Sequence, residues 1–547
     1  MKNDKWKFGL GVFVLVFVAA TFRIAVAHWL PNDAPDDGRI YSQIARNVLE
    51  QHVYSHESAA PFVPSLIRLP GYPLFLSSIY SIFGHTSNGA VRILQALIDT
   101  ATCALIALLA FYWQPDESRK YASALAALAL ATICPFTTIY AATILTEVPT
   151  NFLVMAMLVA VTLAFRNQSA TEDTEGEQTN KKIVARMFLW WSIAGLLGGL
   201  AVLMRPDNGL FLAAVGITLV VTGLWRTRSG DPKRRRRFAL PARSKIFRTL
   251  VTGALFSIAF ALVLTPWTIR NWRVFHVFQP LSPAHAEMPG EFVPRGYMLW
   301  LRTWVDDERY VAPFLWGLDS EPIDIDDLPA SAFDSPAEKD RVAALLDKYN
   351  HADDESSDDQ QDEDKPDDSE EPEQTDQPQE EPEQTTAVEM TPEIDAGFAQ
   401  LARERISRHQ FRYHVWLPIK RAQTMWFDTH SQYWPFEGTL LPLEDLDYEH
   451  HQQYWLPLFA ALTALYTLFG LAGCWVLWRA RTFDARRWLL LAALAILLRL
   501  VLFSSLENPE PRYLVEFFPF LSILGGIAIA RMFAFFSRRA AMRSTLG

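Results

Sequence analysis

Apolar residues in this chain fall in long unbroken blocks, and charged residues punctuate the blocks rather than alternate within them. A helix needs about 20 apolar residues to cross the hydrocarbon core of a bilayer. Blocks near that length lie at 8–29, 90–112, 121–145, 147–165, 187–204, 209–225, 249–267, 455–478, 488–505 and 513–536, which predicts an all-α integral membrane protein with about ten transmembrane helices. Residues 73–83 are apolar but too few to cross, and predict a helix on or dipping into the outer face.

These spans divide the chain into an amino-terminal transmembrane module at 1–267 with about seven spans, a large outer loop at 268–454, and a carboxyl-terminal module at 455–547 with about three. The first outer loop, 30–89, carries a helical pattern over Ile40 to Glu50, the turn Arg68-Leu69-Pro70-Gly71-Tyr72-Pro73 and the short apolar helix. Inside the large loop, residues 350–393 are crowded with Asp, Glu, Gln, Ser and Pro, and supply much of the net charge of −11. Such a segment buries too little apolar surface to offset its ordering entropy and is expected to be disordered. It reads as a tolerated insertion, a spacer or a sink for divalent cations, and its sign excludes a nucleic-acid arm.

Short cytoplasmic loops carry excess Lys and Arg. With ten spans and the amino terminus inside, the dense basic clusters fall on one face, among them Lys233 to Arg237, and the acidic stretches fall on the other. Both termini are then cytoplasmic. Lys2, Lys5 and Lys7 before an apolar run, with Ala25-Val26-Ala27 after it, also resemble a cleavable signal peptide. Arg23 and the length of the run favour an uncleaved first helix. Cys103, Cys134 and Cys474 all lie in predicted spans without ligand-like spacing, so neither a disulfide framework nor a zinc site is implied. No internal repeat and no phosphate-binding glycine loop is present.

Polar residues inside or at the ends of spans are costly and mark function by default. On the outer side they are Asp36, Asp37 and Tyr41 after span one, Arg68 before Pro70, Glu147 opening span four, Arg205 after span five, Arg270 after span seven, and Arg512 with Tyr513 before the last span. Arginine binds phosphate with a two-pronged fork and keeps its charge at membrane depth. A carboxylate can take the proton of an attacking hydroxyl or hold a cation beside a leaving phosphate. Converging on one cavity, such groups suit transfer from a phosphate-linked lipid.

Each residue also has a plainer explanation. Asp37 and Glu147 can serve as first-turn helix caps, with Pro149 in its favoured place. The arginines can snorkel to headgroups, as can Arg499 on the outer half of span nine. Trp267, Trp272, Trp426 and Trp434 fit an interfacial aromatic belt.

The motifs DDGRIYSQIARNVLE, RLPGYPLFLSSIYSIFG, LTEVP, MRPDNG, TPWTIRNW and PEPRY, in that order along a many-span chain, resemble the GT-C-type membrane glycosyltransferases. The likeness is greatest to the branch holding the bacterial aminoarabinose transferase and the protein O-mannosyltransferases. It covers most of 1–280 and the last hundred or so residues, while 281–454 carries no matching motif. It implies a GT-C-like bundle with outer-face juxtamembrane helices, and a sugar donor carried on a polyprenyl phosphate. It further implies a lipid, glycan or protein hydroxyl as acceptor, inversion at the anomeric carbon, and a bacterial inner (plasma) membrane. Asp37 would be the catalytic base or acceptor-orienting acid, and Glu147 the second acid, binding acceptor or a divalent cation. Arg68 would lie near the donor phosphate, with Arg270 and Arg512 as weaker candidates. Asp36 and Asp37 both stand where the family's acid falls, and the spacing to Tyr41 favours Asp37. No cofactor is implied beyond that cation.

Two other functions remain open at this stage. A transporter or flippase for a lipid-linked or anionic solute would use the same arginines, although paired repeats are not visible. A glycan polymerase or ligase using a diphosphate-linked donor would rely on arginines and a histidine, for which His276 and His285 are available.

Charge asymmetry makes a topological prediction. A reporter fused after Gly89 or near Ala387 should be active only in an oxidising outer compartment, and a cytoplasmic signal at either point would overturn the placement of the site.

Overall fold

The computed structural model describes residues 2–30, 36–84, 87–173, 177–228, 242–351, 388–427 and 452–544. Most of the acidic insert, the basic cluster Lys233 to Arg237, Trp434 and the side chain of Asp36 lie outside the described residues. Every regular element among the described residues is helical. Nine of these helices are long and apolar enough to cross a membrane, or ten if one bent pair counts as a single span. The protein is therefore a multi-pass membrane protein, with the span count the apolar blocks imply.

The amino-terminal part runs α1 (Lys2–Trp29), α2 (Asp36–Glu50), α3 (Gly71–Phe83), α4 (Asn88–Trp113), α5 (Lys120–Ile133), α6 (Pro135–Thr138), α7 (Glu147–Asp173), α8 (Glu177–Met204), α9 (Gly209–Arg228) and α10 (Ala242–Phe275). The block expected as one span at 121–145 is the bent pair, with a 54° break between 117–133 and 135–142. Pro135 explains the break, because its ring cannot continue the helix and it pushes Cys134 out of the helical region to φ −69°, ψ 110°. A broken span exposes backbone carbonyls that hydrocarbon cannot satisfy. Buried Gln95 of α4 meets this need by donating to Thr143 O at 2.6 Å, and Tyr72 of α3 donates to Gln95 Oε1 at 2.8 Å.

The short apolar segment is α3, at 13 residues too short to cross. Its first residue, Gly71, lies against the end of α8, where a Cβ would sit 2.5 Å from Leu203 O. Only glycine allows this approach, which brings the chain around Arg68 next to the turn that carries Arg205.

The chain forms two compact units: one of 1–291, 426–500 and 512–547, and one of 292–425 and 501–511. The second unit is built from α11 (Arg295–Leu301), α12 (Pro336–Asn350), α13 (Pro392–Arg408) and most of α14 (Leu417–Phe427). Its core is aromatic, with Tyr297, Trp300, Trp304 and Phe398 buried together, and Arg405 pairs with Glu338 beside it.

The first unit is completed by α15 (Gln452–Ala480), α16 (Phe483–Ser504) and α17 (Phe518–Ser544), the last preceded by a tight turn over Pro511–Phe517. Trp113 of α4 and Trp488 of α16 stack at 5.5 Å in its core. Half-buried Trp426 donates to Thr467 Oγ1 at 2.7 Å and packs on Phe517.

One ion pair fastens α1 to the bundle. Arg23, fully buried, bonds Asp99 of α4 at 2.6 Å and donates to the carbonyls of Ala131 and Thr132 near the break in α5. A buried pair loses most when one partner is removed and the other is left charged. Asp99→Leu should therefore destabilise the protein by about 3–5 kcal/mol, and Arg23→Met/Asp99→Leu should restore most of the loss. Detergent-solubilised thermal unfolding of the single and double variants checks this.

Candidate functional site

Asp37 sits in the first turn of α2, whose buried Ile44 and Ala45 hold the helix against α3. Its two carboxylate oxygens have different partners: Arg68 Nη2 reaches Oδ1 at 2.9 Å and Arg512 Nη2 reaches Oδ2 at 3.3 Å. Burial pushes this carboxyl up, but Arg512 and Arg68 together outweigh it and hold Asp37 below the usual carboxylate range. Its side chain is therefore a clamped anion, not an idle helix cap. Arg68 is steadied from behind, because Tyr54 Oη donates to its carbonyl at 3.1 Å.

Glu147 opens α7 and is buried, with Arg205 Nη1 at 2.7 Å from Oε1. Arg205 lies in the turn between α8 and α9 and also bonds Asp207 at 3.2 Å and Glu516 at 3.5 Å. Arg499 of α16 faces the same two acids, pairing with Asp207 and reaching Glu516 at 3.0 Å. The Tyr513 ring lies between the two groups, 5.7 Å from the Arg205 guanidinium and 5.6 Å from that of Arg512.

The combined cluster is electrically balanced but unevenly so. Around Asp37, one carboxylate faces the guanidinium groups of Arg68 and Arg512. Around Glu147, the carboxylates of Glu147, Asp207 and Glu516 meet the guanidinium groups of Arg205 and Arg499. Among these contacts guanidinium groups outnumber carboxylates in the first half, which suits an anion, and carboxylates outnumber guanidinium groups in the second.

Tyr41 is beside the first half, edge-on to Tyr72 at 5.2 Å. Burial, aided by the charge of Asp37, raises its hydroxyl to about 12, so it remains a neutral donor. Arg270 is the exception among the candidates. Its guanidinium lies among the rings of Tyr54, Trp267 and Phe275 and donates to Ser65 O at 2.7 Å and Tyr54 O at 3.4 Å. There it holds the 54–65 segment, with no carboxylate of the cluster among these partners.

Sequence reasoning missed Asp207 and Glu516 and set Arg499 aside as a headgroup contact. Arg499 is instead 0% exposed and stacks on Phe211 at 4.8 Å. An arginine eleven residues before Glu510, in the apolar run Ile496 to Phe503, was the available signal, since a lipid-facing guanidinium at that depth is costly. Asp37 and Glu147, the two ligands offered for a divalent cation, are both engaged by guanidinium groups. Among the described residues no three His, Cys, Asp or Glu side chains are grouped to hold a metal ion.

No family model and no curated protein matches this sequence. Solved structures do. The apo oligosaccharyltransferase of Archaeoglobus fulgidus aligns with 100% of this chain and 52% of its own at a TM-score of 0.50, with 12% identity. ArnT from Cupriavidus metallidurans in its apo state aligns over 97% of this chain and 78% of its own, at 16% identity and a TM-score of 0.31. The chain thus spans about half the length of the archaeal structure it matches. The likeness to the archaeal structure is one of fold.

The pairing of Asp37 makes a prediction about acid. Because folding lowers its pKa from the ordinary 3.8, the stabilisation it contributes is complete above that value and is lost as the pH falls through the lower folded one. Asp37→Asn should cost about 1–3 kcal/mol at neutral pH. That difference should shrink as unfolding is measured in increasingly acid buffer, and a difference independent of pH would show that the carboxylate is not paired.

Proposed function

We propose that this chain is a membrane glycosyltransferase that moves a sugar from a polyprenyl-phosphate donor to a hydroxyl of a lipid, glycan or protein, with inversion at the anomeric carbon. The observation that carries the reading is the clamp on Asp37, where one carboxylate occupies two guanidinium groups. Clamped in this way, Asp37 is a poor base. A donor phosphate offers the forks of Arg68 and Arg512 more acceptor oxygens than a carboxylate does. Once these arginines turn to it, Asp37 loses its countercharges and becomes basic enough to accept a proton. The donor itself switches the base on.

The acceptor oxygen then attacks the anomeric carbon from the face opposite the phosphate, and its proton passes to Asp37. The bond from that carbon to the phosphate oxygen breaks, and its electron pair leaves with the polyprenyl phosphate. Arg68 and Arg512 neutralise the departing charge, so no separate acid is needed. Glu147, fixed by Arg205, orients the acceptor hydroxyl, and Tyr41 and Tyr513 flank the sugar. Most of the acceleration comes from holding the hydroxyl in line.

The fold likeness supports this assignment, as does the position of Asp37, Arg68, Glu147, Arg205 and Arg512 at helix starts and inter-helix turns rather than in mid-span. On this reading the sugar is a hexose or pentose and the chain belongs in a bacterial inner membrane. Its site faces the periplasm and its termini the cytoplasm, following the charge asymmetry.

Membranes carrying the wild type, Asp37→Asn or Arg68→Ala at matched protein levels should be assayed for transfer from radiolabelled polyprenyl-phosphate sugars. Transfer should fall by about 100-fold or more in Asp37→Asn. In Arg68→Ala the donor KM should rise. Activity unaffected by both changes would refute the site, and donor binding without any transfer would favour a lipid-linked solute carrier.

A further inference from the structure

Five groups in the first unit, three of them buried and two nearly so, form a figure that the proposed chemistry does not by itself require. Arg205 Nε bonds Asp207 Oδ1 at 3.2 Å, and Arg499 Nη1 pairs with Asp207 Oδ2. Arg499 Nη2 bonds Glu516 Oε2 at 3.0 Å, and Glu516 Oε1 returns to Arg205 Nη1 at 3.5 Å. This is a closed ring of alternating charge, with Glu147 attached from outside through the same Arg205 Nη1 at 2.7 Å. Glu147 and Glu516 thus share a single nitrogen, with Glu147 at 2.7 Å and Glu516 at 3.5 Å.

We infer that Arg499 is a positioning residue for Glu147, acting through competition for Arg205. While Arg499 satisfies one oxygen of Asp207 and one of Glu516, Arg205 can keep its shortest bond for Glu147. Without Arg499, three carboxylates have only one guanidinium between them. Glu516 and Glu147 are both buried and cannot turn to water, so the oxygens that lose Arg499 compete with Glu147 for the one nitrogen it shares with Glu516, and the bond to Glu147 weakens. The same argument requires that removing Glu516 together with Arg499 returns Arg205 to Glu147. The Phe211 ring lies against Arg499, 4.8 Å from its guanidinium, and supports the fork from one side.

The inference rests on the glycosyltransferase reading only for its kinetic consequence, so the test has a chemical arm and a kinetic arm. An apolar carbodiimide adds to protonated carboxyls and spares ion-paired carboxylates, and mass spectrometry reads the adduct at Glu147. In Arg499→Gln the adduct should rise by roughly tenfold, and in Arg499→Gln/Glu516→Gln it should return towards the wild-type level. In the transfer assay the acceptor KM should follow the same rise and recovery while the donor KM stays constant. A merely structural role would lower the amount of active protein and leave both KM values alone, with no recovery in the double variant. If Arg499→Gln does not accumulate, Arg499→Lys, which keeps the charge but loses the fork, should show a smaller rise of the same kind. Unchanged labelling of Glu147 in the folded single variant, or failure of the double variant to recover, overturns the inference. Absence of transfer by the wild type sinks the glycosyltransferase reading, and the labelling arm still decides the ring.

Discussion

A guanidinium group buried among apolar helices can stay charged only if carboxylates or carbonyls surround it, and much of this architecture follows from that requirement. Arg205 is the sharpest instance: it stands between two apolar helices and has three acids within bonding distance. Those acids come from α7, from the turn before α9 and from the approach to α17, so satisfying one side chain draws three distant parts of the sequence together. Hydrophobic packing between helices supplies little direction in a bilayer, where lipid is as apolar as leucine. Charge pairing supplies it.

The backbone shows the same economy of means. Pro135 breaks a span and creates unsatisfied carbonyls, and the repair through Gln95 leads to Tyr72, which belongs to the turn that delivers Arg68. Gly71 lets that turn touch the end of α8. Broken helix, glycine contact and arginine are therefore linked: the irregular backbone is placed where the site needs carboxylates and guanidinium groups to converge.

Much of this could be read from the chain. The spans are legible because a bilayer demands a long apolar block, a signal that survives any detail of packing. Asp37, Arg68, Glu147, Arg205 and Arg512 were legible because each interrupts or borders such a block, and the structure does bring them together. Arg270 was equally conspicuous and sits apart, because a ring of aromatic side chains can also accommodate a guanidinium, and nothing in local sequence tells an aromatic cage from an acidic one. Asp207 and Glu516 escaped notice for the opposite reason. Each lies in an apolar surrounding as a lone acid, and its meaning depends on Arg499, which is 292 and 17 positions away respectively. Pairing across helices is a property of the assembled bundle.

Arg23 and Asp99 extend this logic to the making of the protein. They lie 76 residues apart, on α1 and on the next full-length span. A growing chain that has released α1 into lipid before α4 is synthesised must carry an uncompensated charge at membrane depth, at a cost of about 2.5–3.5 kcal/mol on insertion scales. Pairing with α4 removes that cost, so the first span reaches its most favourable state only once the second full-length span is in place.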